Sequence, residues 1–190
     1  MRPTPRRFSR YTWLPLLAAV ACHRSTATGG AAPGPNAVRV EEANVVAIIM
    51  AANNTDLSYA RLVPARARSS DVKAFAQRMT TDHTILNSRV TDIAARYGIV
   101  AVDDAISLDF RDHSAARRDV LRELDGARFD STYAANEVQY HQELLAAIDN
   151  VLIPNVHTAE LREFVVNLKP AVSAHLAHAE QIRATIAGRK

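Results

Sequence analysis

Residues 71–97 read DVKAFAQRMTTDHTILNSRVTDIAARY, and Val72, Ala76, Met79, His83, Leu86, Val90, Ile93 and Tyr97 succeed one another at intervals of three and four. That spacing returns each side chain to one stripe of a long helix facing a core. Ser69 and Ser70 precede the stretch with N-cap hydroxyls, Asp71 suits the positive end of the helix dipole, and Gly98 suits a C-cap. His83 falls on the buried stripe, although histidine is not a typical core residue.

The remaining chain repeats this pattern. From about Val38 to Val63, a stripe of Val45, Ile49, Ala52, Asp56, Tyr59 and Val63 predicts a first helix that Pro64 ends or bends. Asp56 lies on this stripe, where a rotation of one residue would move it to the solvent boundary. Residues Ile99 to Ser107 read as a connection, Ser114 to Leu124 as a shorter helix, and Asp125-Gly126 as a turn. A helix over Phe129 to Val151 carries Ala134, Val138, His141, Leu145, Ile148 and Leu152 on one face, with Glu137 one turn before His141. The last helix, Ala159 to Ile186, places Leu161, Leu168, His175 and Ile182 at sevens, and Pro170 is expected to kink it. No stretch alternates as a strand does. The reading is all-α: an antiparallel four-helix bundle with an additional short helix.

Ahead of this domain, residues 1–21 combine Arg2, Arg6, Arg7 and Arg10 with the apolar run Tyr11 to Ala21, about half of the roughly 20 residues that a membrane-spanning helix needs. They are read as a signal peptide. Two cleavage patterns stay open: Ala19-Val20-Ala21 fits ordinary signal peptidase, and Leu17 to Cys22 resembles a lipobox, with Ala19 where leucine is usual. Under the second pattern Cys22, the sole cysteine, is the lipidation site and the membrane is a partner through it. His23 in place of an aspartate after it agrees with an outer-membrane lipoprotein facing the periplasm. Residues 22–37, rich in Gly, Pro and Ala, read as a flexible tether reaching about 20 Å, and residues 38–190 as the folded domain.

Charge removes one class of function. The leader arginines are four of 23 basic residues, so from residue 22 onward 19 basic side chains face 20 acidic ones and no footprint for nucleic acid remains. A single cysteine also excludes thiolate metal clusters and internal disulfides.

Three blocks carry a resemblance: DVKAFAQRMTTDH at 71–83, FDSTYAANEVQYHQELL at 129–145 and LKPAVSAHLAHAEQI at 168–182. In this order they resemble a bacterial family catalogued as domain of unknown function 4142. The resemblance implies a ferritin-like, often exported helical bundle with no assigned activity.

Ferritin-type di-iron proteins use Glu-x-x-His pairs, yet Thr80, Val138 and Val172 stand three residues before His83, His141 and His175. What remains is one inward histidine on each of three helices, with Asp56 and Glu137 as oxygen donors. Such a set suits a divalent transition metal: zinc, copper, nickel or iron. Buried histidines hydrogen-bonded across a core are the structural alternative. His23, His113 and His157 read as solvated. With no phosphate loop, nucleophile elbow or thiol motif in view, the leading expectation is a non-enzymatic, lipid-anchored envelope protein acting as a binding or interaction module. The alternative is a metal-binding or metal-dependent redox protein using the inward histidines.

Overall fold

The computed structural model describes residues 38–188. In chain order these form α1 (Glu42–Ala60), the single turn α2 (Val63–Arg66), α3 (Ser70–Tyr97), α4 (Ala105–Arg122), α5 (Gly126–Ala147), a π-helical stretch (Ile148–Leu152), α6 (Ile153–Asn155) and α7 (Ala159–Gly188). There is no strand among the described residues, and their regular structure is all helical. No helix among them is long and apolar enough to cross a membrane. The leader, Cys22 and the tether lie outside the described residues.

Helix ends follow local chemistry. Ser69 accepts from the Val72 amide at the start of α3, and Gly98 closes that helix at φ 65, a left-handed conformation that costs glycine little. Pro64 stands in the first turn of α2 after α1 has ended, where its missing N–H leaves no bond unmade. Pro170 lies within α7, which continues past it.

Two sequence expectations need correction. The short helix expected over Ser114 to Leu124 is α4, an 18-residue helix that begins at Ala105. Asp104 and Ser107 start it reciprocally: the Asp104 carboxylate accepts from the Ser107 amide at 2.8 Å, and the Ser107 hydroxyl accepts from the Asp104 amide at 3.0 Å. The bundle therefore has five substantial helices. Tyr97, placed on the buried stripe of α3, is 51% exposed, because the helix runs one turn past the core it covers.

The packing is a ring. α1 lies against α3, α3 against α7, α7 against α5, and α4 touches both α5 and α1. The Tyr140 hydroxyl of α5 donates to the Ala52 carbonyl of α1 at 2.6 Å and ties those two helices together. At the first residue of α1, the Glu42 carboxylate reaches the start of α7, accepting from the His157 and Thr158 amides and from the Thr158 hydroxyl at 2.8 Å. It supplies a negative charge where the α7 dipole is positive. Asn155 pins the chain entering α1: its side chain accepts from the Val40 amide and donates to the Val38 carbonyl. Val45, Ile49, Val72, Met79, Val90, Val138, Ile148, Leu161, Val165 and Val172 are among the apolar side chains that fill the ring.

Candidate metal centre

Asp56 (α1), His83 (α3), Glu137 and His141 (α5) and His175 (α7) are all buried in the middle of that ring. Asp56 is fully enclosed, so the solvent-boundary position open to it from the sequence is not the one it takes. Ring centroids of His175 lie 5.4 Å from those of both His83 and His141, and the latter two are 6.2 Å apart. One ligand atom from each of His83, His141 and His175 lies within 4.8 Å of the others, and the same holds for Asp56, Glu137 and His141. The two triads overlap at His141. Asp56 also reaches the histidine triad directly, with Oδ2 3.2 Å from His83 Nε2 and 3.5 Å from His141 Nε2.

Each imidazole has one nitrogen engaged and one free. His83 Nδ1 is 2.8 Å from Asn53 Oδ1. The Asn53 amide is oriented by its own donation to Asn87 Oδ1 at 3.0 Å, and Asn87 donates onward to Asn54, so the atom facing His83 is an oxygen. His83 Nδ1 must therefore carry the proton. His141 Nδ1 donates to the Glu137 carbonyl at 2.8 Å, and His175 Nε2 donates to Asp82 Oδ2 at 2.8 Å. That leaves His83 Nε2, His141 Nε2 and His175 Nδ1, which have no hydrogen-bond partner and are buried. Both oxygens of Asp56 and Glu137 Oε2 share that condition. A buried polar atom without a partner costs about 1–3 kcal/mol, and six such atoms converge on this one region.

Burial and mutual charge set the electrostatics of these donors. Burial pushes His141 down to about 4, against the opposing pull of Asp56, so its ring is neutral near pH 7. Burial likewise lowers His175, partly offset by Asp82. Burial raises Asp56, but His83 first, then His141 and His175, outweigh it and hold the carboxyl below its usual range. Glu137 is raised well above the usual carboxylate range by burial and then by the Asp56 charge. Three imidazoles beside the Asp56 carboxylate make a nitrogen-rich donor set, suited to a divalent transition ion and poorly suited to calcium or magnesium.

The family model described as Domain of unknown function (DUF4142) matches residues 27–182. The chain belongs to that family. Comparison with curated proteins and with solved structures returned no match. Within this DUF4142 chain all three resemblance blocks bring a residue to the centre: His83 from the first, Glu137 and His141 from the second, and His175 from the third.

Asn53, Asp82 and Tyr133 were not singled out from the sequence. Asn53 is three residues before Asp56, on the same helical face, and that spacing was a usable signal. Asp82 offered none, because its role arises from a helix-to-helix approach. Tyr133 has an unpartnered buried hydroxyl, and it is raised well above its ordinary range by burial and then by the nearby Glu137. His113 and His157 are exposed and His178 packs edge-on to Phe75, away from the cluster's hydrogen bonds.

Proposed function

We propose that this DUF4142 chain is a transition-metal-binding protein of the cell envelope, holding one divalent ion on His83, His141, His175 and Asp56. One observation carries the reading: each of the three imidazoles turns one nitrogen to a fixed oxygen and the other, unpartnered, into the same enclosed space. Metal-ligating histidines are held in this way, with the second nitrogen donating to a carbonyl or carboxylate. A histidine serving only as core packing gains nothing from presenting a bare lone pair to two others.

The bundle is ferritin-like in this reading, since α1, α3, α5 and α7 each deliver a side chain to a single buried centre and α4 is the addition. The absent Glu-x-x-His pairs argue for one ion in place of two irons. His141 has only Nε2 to offer, because its Nδ1 is committed to the Glu137 carbonyl. Glu137, whose carboxyl oxygen lies in the second triad with Asp56 and His141, stands beside the ion as a further oxygen donor. The interaction-module reading, drawn from the lack of catalytic motifs and from the leader and tether, takes second place to the geometry of the centre.

Elemental analysis tests the reading on the full chain purified without a histidine tag, beside a His83→Ala, His141→Ala, His175→Ala triple variant. The expected result is about one equivalent of zinc, copper, nickel or iron in the native chain and none in the folded variant. A native chain that stays metal-free after incubation with all four would overturn it. The envelope assignment has a separate test: mass spectrometry of the mature N-terminus in the native host, where an unmodified or absent Cys22 removes the lipid anchor.

A further inference from the structure

The centre is sealed on most sides. Asp56, His83, Glu137 and His141 have no exposed surface, whereas His175 retains 2% and donates through Nε2 to Asp82, whose side chain is 34% exposed. Asp82 has a second partner one turn earlier on α3: Arg78 Nε lies 3.3 Å from the same Oδ2, and that arginine is 55% exposed. Arg78, Asp82 and His175 thus form a line from solvent to the histidine triad, crossing from α3 to α7.

The other space beside the centre is small and apolar. Beside His83 lies a cavity of about 10 Å³ lined by Ile49, Leu86, Leu144, Ile148 and Leu152, with Asn53 the polar neighbour. A hydrated dication entering there would exchange water for hydrocarbon, at a steep desolvation cost. At Asp82 it would exchange water for a carboxylate oxygen.

We propose that Asp82 is the capture site for the incoming divalent cation, and that Arg78 occupies this carboxylate until the cation displaces it. This inference rests on the metal reading above. Once Asp82 holds the ion, its hydrogen bond to His175 is released, and the freed imidazole can turn its unpartnered nitrogen toward the ion and draw it into the triad. Arg78 competes for the same oxygen and contributes like charge against the approaching ion, so it slows entry.

Stopped-flow uptake of Co²⁺ by the metal-free full chain, read from the visible absorption of bound cobalt, tests this. Arg78→Ala should load several-fold faster than wild type at low ionic strength, and Asp82→Asn about tenfold slower, the size expected when a steering charge is changed. Arg122→Ala, a charge-matched change on α4 whose arginine pairs with Asp119, should load at the wild-type rate. Release into excess chelator separates entry from ligand positioning. A gate slows release along with uptake in Asp82→Asn, whereas a residue that only orients His175 leaves uptake unchanged and speeds release. That second pattern overturns the capture role, as does an Arg78→Ala rate equal to that of wild type or of Arg122→Ala. Arg78 is a surface side chain, so its variant remains informative even if Asp82→Asn fails to fold. Failure of the wild-type chain itself to bind cobalt overturns the metal reading, and the capture role with it.

Discussion

Oδ2 of Asp56 lies 3.2 Å from Nε2 of His83, both side chains are shut off from solvent, and neither atom makes a hydrogen bond. His83 Nδ1 faces the Asn53 side-chain oxygen, so Nε2 is the nitrogen turned toward the carboxylate. A divalent ion at this spot would be held by that nitrogen and the carboxylate together while also engaging His141 and His175. Zinc should therefore stabilise the wild-type fold by about 2.7 kcal/mol at a free concentration 100 times its Kd. Asp56→Asn, nearly isosteric but uncharged, should lose most of that gain at the same zinc concentration. Urea unfolding with and without zinc measures both, and equal gains would show that Asp56 is not a ligand.

Asn53 sets the tautomer of His83 through a 2.8 Å contact and is itself oriented by Asn87. Its removal leaves His83 free to place the proton on either nitrogen. Asn53→Ala should weaken zinc binding by roughly 10–100-fold, the usual range for loss of an outer-shell partner, while the metal-free protein keeps its helical circular dichroism. Competition titration against a chromophoric chelator would detect it. Unaltered affinity would mean that packing alone orients the ring.

Much of this was legible in the residue order. The stripes on the helices containing His83, His141 and His175 placed those side chains inward because periodicity reports which face is buried, whereas the wide apolar arc around Asp56 left it open between the core and the solvent boundary. Periodicity carries no information on height along a bundle, so whether the three histidines meet was beyond the sequence. The start of α4 was missed even though Asp104 and Ser107 are a recognisable reciprocal cap: the preceding IVAVDD run showed no helical stripe, and few side chains of this helix are buried. Asp82 was invisible for a different reason. Next to His83 in sequence, it projects about 100° around the helix and finds its partner on α7.

Tyr140 links the fold to the site. Its hydroxyl donates to the Ala52 carbonyl at 2.6 Å, its ring packs edge-on against His141 at 5.3 Å, and Ala52 is one turn before Asp56. The contact holds α5 against α1 at the level where His141 meets Asp56. Tyr140→Phe keeps the ring and deletes the donor to a buried carbonyl, so it should cost about 1–2 kcal/mol of unfolding free energy. Zinc affinity should fall with it, because the His141-to-Asp56 spacing loses its tie. A loss of stability without a change in affinity would confine Tyr140 to packing.

His141 makes the metal-free protein acid-sensitive in a defined window. Its folded value is lowered from 6.5 to about 4, chiefly by burial, with Asp56 and the Glu137 carbonyl pulling the other way and His83 and His175 adding to the depression. A depressed folded value means that the unfolded chain takes up the proton first as pH falls. The contribution to stability is therefore fully present above about 6.5 and is lost progressively toward about 4. At roughly 1.4 kcal/mol per pKa unit, this amounts to about 3 kcal/mol. His141→Gln, which can still donate to the Glu137 carbonyl, should be flatter than wild type across that window, as followed by urea midpoints at closely spaced pH values. Bound zinc should steepen the wild-type curve, since protonation must then also expel the ion. If wild type and variant decline in parallel without metal, the acid sensitivity belongs to other groups and His141 is not the buried neutral ligand described above.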